Sequence, residues 1–541
     1  MKLIRAFISL YSWRYPLALT RIWSRSRSHR QSYLAAYWQT NTFAISDTDA
    51  MELASRQRKL AVVLSVGMVG QICVGLGFIV AGAFHDAVAG WQFGLAIILA
   101  YPIIWAHILP IVIAAWWLTR PKRLAREIVC SILESQVRRL RKKHTFSVIA
   151  VAGSIGKTST KITIARLLQA TQNVLWQEGN YNDRVTVPLI FFGHSMPGLL
   201  NIFAWLVIMI KNERIIARPY PYQYVVAEIG TDGPGQLQQF AYLRPELVVM
   251  TAVTAEHMEF FGTLDAVAAE ELSILSFAKQ SLVNIDDTPA EYLRDRTFRS
   301  YGLDSKALYH VTERTGQGLQ GQKIQFQLGK KDIVSVTVPL LGQQGAKVAL
   351  AAVAAAHTLG LPTADIEKGA ATIAAFAGRM QILHGILNST LIDDTYNSSP
   401  VAAKAALDVL QSGDAPQRIA ILGSMNELGS YSPDAHKEVG EHCDPEALDW
   451  VVTVGEAAKK YLAPVAKAKG CQVTSFLDPY KAGRFVKAQL KEGAVVLAKG
   501  SQSGIFTEES LKVLLADKAD EAKLVRQSRL WMNTKGKQFK P

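Results

Sequence analysis

The sequence predicts an α/β protein with a central P-loop-type domain and a C-terminal Rossmann-like domain, preceded by an α-helical transmembrane hairpin. Three observations lead to this architecture. Two long uncharged runs occupy residues 61–84 and 87–119. Beyond about residue 145, short β-rich segments alternate with Ala-rich helical ones, which is typical of parallel α/β sheets. A glycine loop joins the first of these segments to a helical stretch, as a phosphate site requires.

The two uncharged runs predict a tight pair of membrane helices. About 20 apolar residues cross a bilayer as a helix, and the first run has 24 residues without a charge. Only His85 and Asp86 lie in the polar gap before the second run, where Pro102 and Pro110 predict one kinked or tilted span. The alternative, a buried hairpin in a soluble domain, requires two such runs in one soluble fold.

The basic residues are concentrated at the front of the chain. Residues 1–143 hold 19 Lys and Arg against 6 Asp and Glu, whereas the rest of the chain holds 40 against 39. A nucleic-acid enzyme usually carries a basic stripe on its folded body, so we expect no nucleic-acid partner. Basic flanks around apolar runs indicate anionic membrane lipids as a partner instead. The positive-inside rule predicts a multi-pass membrane protein with both ends and the catalytic domains in the cytoplasm.

A third uncharged run, residues 185–210, lies inside the α/β region and is followed by Lys211, Arg214 and Arg218. Its second half, residues 199–210 with Trp205, predicts an in-plane helix at the membrane interface. A full third span is disfavoured because it would split the α/β region across the bilayer.

The most informative motif is the loop Gly153-Ser154-Ile155-Gly156-Lys157-Thr158-Ser159. It follows the predicted strand 146–151 and opens a helical stretch at 160–170. Glycines let backbone N–H groups face phosphates, and a helix N-terminus favours negative charge. Lys157 can reach the β- and γ-phosphates, and the Thr158 hydroxyl can bind Mg²⁺. An ordinary strand-to-helix turn is the alternative. We expect the nucleotide-binding residues of the loop to be Gly153, Ser154, Gly156, Lys157, Thr158 and Ser159.

Seven further stretches, together with this short loop, resemble the Mur ligase family in type and in order. The last three of these motif stretches are most similar to members that add a D-alanyl-D-alanine dipeptide. The stretches are Glu178-Gly179-Asn180-Tyr181-Asn182, Ala227-Glu228-Ile229-Gly230, residues 253–262, Gly378-Arg379-Met380, Asp393-Asp394-Thr395-Tyr396-Asn397 with 398–400, residues 422–429, and Lys499-Gly500-Ser501.

The resemblance implies ATP-dependent amide ligation through an acyl phosphate. Lys157 would stabilise the transferring phosphoryl group, Thr158 and Glu228 would hold Mg²⁺, and His257 would help to bind a second Mg²⁺. Further nucleotide contacts are implied for Asn182, Arg379, Asp394, Asn397 and Lys499. Each residue also has a structural alternative, since a lone His is often structural and adjacent carboxylates often belong to a turn. His436 and Lys437 are expected to face solvent on a helix.

Three positions depart from the family pattern. Glu271 stands about where the family has a carbamylated lysine, 14 residues after His257, so its carboxylate is expected to bind Mg²⁺ with altered geometry. Val348 replaces the asparagine that usually reads adenine, which puts base recognition in doubt. Gln502 replaces an arginine commonly found after Lys-Gly-Ser.

These observations predict five segments and leave three functions open. The arm and hairpin stand where the family usually has a UDP-binding domain. We therefore expect a cell-wall precursor acceptor that is membrane-associated or lipid-linked, or that a partner presents, together with an amino-acid or dipeptide amine. The alternatives are a poly-γ-glutamate-type synthetase and a catalytically weak membrane scaffold. The predicted segments are a basic cytoplasmic arm (1–60), the hairpin (61–119), a basic linker helix (120–145), a central ATP-binding domain (146–378) and a C-terminal domain (379–541).

Overall fold

The computed structural model describes residues 9–12, 14–28, 33–40, 43, 55–84, 88–118, 121–502 and 504–539. The chain divides into two compact units, Met1–Glu127 and Ile128–Pro541. Much of the predicted basic arm and the predicted turn at His85 and Asp86 lie outside the described residues.

The described part of the first unit is helical, and its core mixes tyrosine with aliphatic side chains. Tyr15, Leu19, Leu64 and Leu109 are fully buried. The Tyr15 hydroxyl donates to the Pro102 carbonyl at 2.7 Å, which satisfies a polar group inside this core. The helices are α1 (Tyr15–Ser28), α2 (Tyr33–Trp38), α3 (Ser55–Phe84), α4 (Val88–Leu99) and α5 (Tyr101–Leu118).

Helices α3 and α4 approach each other closely through glycines. A Cβ added at Gly90 would lie 2.9 Å from the Gly82 Cα, and one at Gly94 would meet the Gly75 carbonyl. Gly90 and Gly94 are one helical turn apart, the small-xxx-small spacing that lets membrane helices pack backbone to backbone.

Among the described residues, one helical stretch, Leu60–Ala83, is long and apolar enough to cross a membrane, and only 17% of its most apolar window is buried. The second predicted span is divided between two helices that together are apolar and long enough for one broken span or a re-entrant loop. It is bent by 55° between Gly90–Leu99 and Tyr101–Ile111. Pro102 explains the break, because it has no N–H for the carbonyl four residues earlier and disfavours helical backbone at the preceding residue.

The second unit begins within helix α6 (Pro121–Lys143) and contains a nine-stranded sheet in the order β2-β3-β1-β4-β5-β6-β7-β8-β9. Pairing is parallel from β2 to β7 and antiparallel from β7 to β9. The strands are β1 (Ser147–Ala152), β2 (Val174–Leu175), β3 (Tyr224–Glu228), β4 (Leu247–Met250), β5 (Gln280–Asn284), β6 (Arg299–Gly302), β7 (Tyr309–Gly316), β8 (Gln322–Leu328) and β9 (Asp332–Val338).

Helices cover both faces of this sheet. One face packs against Ile164 and Leu168 of α7 and Leu350 of α12, and the other packs against Val137 and Leu140 of α6. Helices α7 and α12 belong to the set of seven helices that follows α6. This set is α7 (Lys157–Gln169), α8 (Thr186–Ile190), α9 (Ile202–Ala217), α10 (Met258–Phe261), α11 (Leu264–Glu271), α12 (Gly342–Thr358) and α13 (Thr363–Ala370).

A six-stranded sheet follows in the order β10-β11-β15-β12-β13-β14, parallel except for β10. Its strands are β10 (Gln381–His384), β11 (Thr390–Asp394), β12 (Arg418–Gly423), β13 (Trp450–Val454), β14 (Val473–Phe476) and β15 (Val495–Lys499). Its helices are α14 (Pro400–Ser412), α15 (Ser432–His442), α16 (Ala463–Ala468), α17 (Pro479–Gln489), α18 (Glu508–Lys512) and α19 (Arg529–Gln538).

Strand register decides which side chains meet at the sheet edges. Val151 of β1 is level with Glu228 of β3 and Val249 of β4, so the segments that follow these strands leave the sheet together. In the smaller sheet, Asp394 of β11 is level with Lys499 of β15. Ligand crevices in open α/β sheets form outside such carboxyl ends.

Candidate active site

A polar cavity of about 440 Å³ lies between the carboxyl edges of the two sheets. It is lined by the glycine loop, by the ends of β3 and β4, and by the segments that follow β11 and β12. Nine residues predicted from the sequence come together here: Ser154, Gly156, Lys157, Thr158, Asn182, Glu228, His257, Arg379 and Asn397.

A smaller cavity of about 100 Å³ adjoins the first and shares Gly156 and Arg379 with it. Its walls are largely aliphatic and aromatic, and Val348 is one of them. Three more predicted residues line it: Ser159, Asp394 and Lys499. A nucleotide whose phosphates occupy the loop can therefore place its base on the apolar side.

The glycine loop is shaped by two positive φ angles, 119° at Gly153 and 81° at Gly156. A Cβ at Gly153 would lie 2.6 Å from the Thr251 Oγ1, so only glycine fits there. Ser154 N–H donates to the Ala252 carbonyl at 2.9 Å, and Thr254 N–H donates to the Ser154 hydroxyl at 3.0 Å. The loop is thus fixed to the segment after β4, while the first turn of α7 offers backbone N–H groups without helical partners.

Lys157 is held charged by carboxylates around it. Its Nζ donates to the Ser154 carbonyl at 3.2 Å and lies 3.3 Å from the Glu256 Oε2. Burial opposes the charged form, but Glu256, Glu271 and Glu228 outweigh it and raise the pKa of Lys157. The ammonium is therefore a fixed positive charge at the loop, as stabilisation of a phosphoryl group requires.

Glu228 ends β3, is 2% exposed and faces the polar cavity. Its Oε2 makes no hydrogen bond within the described residues, and the nearest cation is the Lys161 Nζ at 3.5 Å. Lys161 was not predicted; it donates to the Gly179 carbonyl at 3.1 Å, and burial lowers its pKa although Glu228 opposes that shift. A signal was available, since Lys161 lies one helical turn beyond Lys157.

His257 joins the two sides of the cleft. Its Nδ1 lies 3.0 Å from the Glu427 Oε2 in the loop after β12. Burial lowers the pKa of His257, but Glu427 and Glu256 outweigh it, so the net shift is upward. His257 in turn lowers the pKa of Glu427. A protonated imidazole has no lone pair for a metal, so the Glu427 contact, which favours the protonated form, competes with metal binding by His257.

Glu271 lies beneath the loop and lines neither cavity. It is 3% exposed, its Oε2 accepts the Gly153 N–H at 3.0 Å, and burial raises its pKa to about 7. This placement favours support of the glycine loop over the predicted contact with Mg²⁺.

The described residues contain no group of three or more His, Cys, Asp or Glu side chains arranged to hold a metal ion. The buried Glu228 carboxylate with an unpartnered oxygen, and the Thr158 hydroxyl in the same cavity, nevertheless suit a hard cation. Mg²⁺ usually takes one or two protein oxygens and completes its shell with phosphates and water. The donor set therefore fits magnesium bound together with a nucleotide.

The segment Gly378-Arg379-Met380 is fastened to the end of β11. Gly378 N–H donates to the Asp393 Oδ2 at 3.1 Å, and Met380 N–H donates to the Asp394 Oδ1 at 3.3 Å. The Arg379 guanidinium stacks 4.4 Å from the Tyr396 ring centroid, and its Nε is buried without a hydrogen-bond partner among the described residues. Arg379 thus offers an unused donor where the two cavities meet.

Asp394 and Lys499 form a buried ion pair of 2.6 Å between neighbouring strands. Burial lowers the pKa of Lys499 although Asp394 opposes it. Lys499 also donates to the Asn397 carbonyl at 3.1 Å. The pair shapes the wall of the apolar cavity, and the Asp394 carboxylate has its partners within the protein.

Arg526, which the sequence did not single out, supports the same wall from the C-terminal segment. Its guanidinium donates to the Tyr396 carbonyl at 3.0 Å and to the Glu508 Oε2 at 2.7 Å. Lys535 of α19 is fully buried and lies 2.9 Å from the Glu508 Oε1. The platform under Arg379 therefore depends on the last helix.

The prediction that His436 faces solvent was wrong. His436 is fully buried, accepts the Met425 N–H at 2.9 Å and contacts the Ser432 carbonyl at 2.7 Å. It orders the loop that presents Glu427. Lys437 beside it is exposed and pairs with Asp434.

Two family models match the chain over about half of its length. The Mur ligase middle domain matches residues 210–356, and the Mur ligase, glutamate ligase domain matches residues 378–502. Among curated relatives, the UDP-N-acetylmuramoyl-tripeptide–D-alanyl-D-alanine ligase of Escherichia coli (strain K12) is 28% identical over 394 residues, covering 68% of this chain and 77% of that protein. The enzyme of the same name from Bacillus subtilis (strain 168) is 27% identical over 378 residues, covering 68% and 76%.

Two solved structures share the fold. MurF from Acinetobacter baumannii superposes with a TM-score of 0.58 at 22% identity, covering 72% of this chain and 80% of that one. MurF from Thermotoga maritima, solved in complex with ADP, gives 0.56 at 22% identity, covering 72% and 84%. The family matches and the two-sheet architecture agree: the chain belongs to the Mur ligase family and is an ATP-dependent carbon–nitrogen ligase.

Proposed function

We propose that this chain is a membrane-anchored ligase of peptidoglycan-precursor synthesis that joins the amine of a D-alanyl-D-alanine dipeptide, or of an amino acid, to an acceptor carboxylate. The observation that carries the proposal is the polar cavity, in which Lys157, Thr158, Glu228 and Arg379 converge from two sheets. The names of the curated relatives support the choice of dipeptide and precursor.

The chemistry proceeds in two steps. An acceptor carboxylate oxygen takes the γ-phosphoryl group from ATP, and ADP leaves. The amine nitrogen then attacks the acyl carbon, the carbon–oxygen bond to phosphate breaks, and the nitrogen loses a proton. Lys157 offsets charge on the transferring group, and the unused Nε–H of Arg379 donates to a phosphate oxygen.

When bound, Mg²⁺ neutralises charge on the β- and γ-phosphates. Thr158 and Glu228 are the residues that would hold it. Glycine-loop N–H groups bind the phosphates, and the apolar cavity beside Asp394 and Lys499 takes the nucleoside. Asn182 and Asn397 line the polar cavity from opposite sides of the cleft.

We propose the five segments predicted from the sequence as the domains of the protein. The apolar helix Leu60–Ala83 is the anchor, and its exposed side chains and glycine contacts with α4 support this role. The basic flanks support a cytoplasmic position for the catalytic domains. A ligase held at the membrane is suited to an acceptor that is itself lipid-linked.

Phosphate release by the full chain, purified in detergent, tests the activity. Release should require ATP, Mg²⁺, a peptidoglycan-precursor acceptor and D-alanyl-D-alanine together. Release supported by glutamate without that dipeptide would instead identify the poly-γ-glutamate type of synthetase. Absence of release with every acceptor and amine would identify the scaffold.

The nature of the acceptor requires a second comparison. Matched UDP-linked and lipid-linked acceptors, at equal concentration in mixed micelles, should show the higher kcat/KM for the lipid-linked one. Faster turnover of the UDP-linked acceptor would contradict the lipid-linked assignment and leave the ligase activity intact.

A further inference from the structure

The second unit exposes an apolar surface away from the polar cavity. We call it the α6–α9 face and define it by Ile128, Ile132, Ile202, Phe203, Leu206 and Ile210. Phe203 and Ile202 are 77% and 73% exposed, and the other four side chains are also exposed. Residues 203, 206 and 210 follow the spacing of one helical stripe.

The two helices that carry this face are firmly packed on each other. Trp205 and Ile208 of α9 are buried against Val129 and Leu133 of α6. Asn212 Nδ2 donates to the Gln136 Oε1 at 2.7 Å, and Gln136 Nε2 donates to the Met209 carbonyl at 2.9 Å. The orientation of α9 is therefore fixed with apolar side chains outward. Trp205, predicted to lie in a membrane interface, points inward.

Basic side chains surround the C-terminal ends of both helices and outnumber the three carboxylates that these helices carry. Glu134 of α6 is buried and pairs with Arg184, and Glu213 of α9 pairs with Arg139. Glu127, the remaining carboxylate, is half-buried near the start of α6. The surroundings of the apolar stripe thus carry a clear excess of positive charge. The exposed basic side chains are Arg138, Arg139, Lys142, Lys143, Lys211, Arg214 and Arg218.

Elsewhere in the described part of this unit, large exposed apolar side chains form smaller groups, such as Leu530 with Met532 on α19 and Met196 with Leu200 before α9, or stand alone. Phe260, Leu308, Ile333, Leu387 and Leu477 belong to five different segments. Scattered exposure of that kind is normal for soluble proteins, whereas a contiguous patch marks an interaction surface.

An apolar stripe bordered by Lys and Arg is the pattern of helices that lie in a membrane interface. Anionic headgroups complement the basic border, and each Lys or Arg near such a surface adds attraction. A protein partner would also need a negatively charged surface. The apolar helix Leu60–Ala83, which is long enough to cross a bilayer, favours a membrane over such a protein. The charge and the chain's own membrane segment both favour lipid.

We propose that the α6–α9 face rests on an anionic bilayer, with its six apolar side chains among the acyl chains and its basic border at the headgroups. This deepens the proposed membrane anchoring, since it gives the catalytic unit a second contact beyond the spanning helix. It does not depend on the ligase reaction.

A fluorescent label at position 203 tests the proposal in the full chain. Phe203→Cys is labelled in a Cys73→Ser background, because Cys73 is exposed whereas Cys130, Cys443 and Cys471 are buried. The matched control is Ile333→Cys in the same background, which is 52% exposed on the β8–β9 hairpin. Both proteins are reconstituted in phosphatidylcholine vesicles containing phosphatidylglycerol.

Lipids brominated on their acyl chains should quench the label at 203 about twofold or more, as expected for side chains at the acyl boundary. They should leave the label at 333 unquenched. A further Leu206→Glu change, at a half-exposed position, should reduce quenching at 203. Equal quenching at both sites, or a label at 203 that is shielded without bromine quenching, would overturn the proposal, the second result indicating a protein partner.

Phosphate release is measured on the same vesicles, so that the two failures are told apart. Quenching at 203 in an inactive preparation would refute the ligase and keep the membrane surface. Normal phosphate release without quenching would refute the surface and keep the ligase.

Discussion

The polar and apolar cavities meet at Arg379 and differ in almost every other respect. The larger one contains Lys157, Glu228 and His257, each of which lies close to a side chain of opposite charge. The smaller one is lined mainly by aliphatic and aromatic side chains, including Val348. Phosphoryl transfer requires oriented polar groups that stabilise developing charge, whereas a flat base can be bound by shape complementarity and dispersion. In the proposed function, the reacting groups lie in the polar cavity and the base in the apolar one, on the two sides of the Arg379 guanidinium.

The largest expected effect comes from removing the fixed charge of the polar cavity. Lys157→Ala should lower kcat by about a thousandfold, the scale of losing one preorganised charge-stabilising donor in a phosphoryl- or acyl-transfer site. Lys437→Ala, which removes an exposed lysine on α15, is the matched control and should be neutral. Phosphate release by the two variants provides the measurement, and a Lys157→Ala enzyme of near-normal activity would exclude the glycine loop from the reaction.

The next effect concerns magnesium. Glu228→Gln keeps the shape of the side chain but removes the negative charge, so half-maximal activity should require roughly 10–100-fold more Mg²⁺, the range seen when metal sites are weakened. Titration of activity with MgCl₂ measures the shift. Glu259→Gln, which neutralises an exposed carboxylate on α10, should leave the titration unchanged.

The apolar cavity can be altered independently. Val348→Asn introduces an amide that can hydrogen-bond adenine, and one such bond contributes about 0.5–1.5 kcal/mol, or roughly 2–10-fold. The ratio of kcat/KM for ATP to that for GTP should rise by this factor, with kcat for ATP little changed. A large loss of kcat would show that the two cavities are not separate in function.

The smallest expected effect concerns the bridge between His257 and Glu427. The pair needs an ionised Glu427, whose pKa is lowered, and a protonated His257, whose pKa is raised, so it forms between these two pKa values and its contribution is lost as the pH rises through the raised pKa of His257. Glu427→Gln should lower the pKa of His257 and move the alkaline limb of the pH–rate profile to lower pH. Because the Glu427 side chain is 46% exposed, solvent screening should limit the rate change to about fivefold.

An unchanged alkaline limb in Glu427→Gln would exclude this bridge from the pH dependence. Asp434→Asn, which removes an exposed carboxylate from the neighbouring helix α15, provides the control.

Much of the fold was predictable because buried parallel strands are marked by short apolar runs. The bounds of β1, Ser147–Ala152, agree to within one residue with the strand predicted at residues 146–151. The β7–β9 extension was missed, although β9 alternates buried and exposed residues. That alternation is the pattern of a half-exposed antiparallel strand, which differs from the fully buried runs that revealed the others.

Residues of the candidate site were predictable where they belong to a short motif in the sequence. The glycine loop places Gly156, Lys157 and Thr158 within one turn, so local chemistry identified them. Glu427 and Arg526 are brought to the site by tertiary packing, and Glu427 lies far along the chain from the His257 that it contacts. Glu271 is the opposite case. Its position 14 residues after His257 indicated a metal ligand, whereas in the structure it is buried under the glycine loop and accepts the Gly153 N–H.

The support of Tyr396 by Arg526 has a practical consequence for how far the enzyme can be shortened. The family match ends at residue 502, and a boundary drawn there would discard Arg526, Glu508 and Lys535 together. Such a truncated protein would retain all the strands, but the Tyr396 ring on which Arg379 stacks would lose its support from Arg526. The C-terminal segment therefore supports the candidate active site. Fusions or proteolytic cleavage near residue 526 should weaken nucleotide binding through Tyr396 and Arg379.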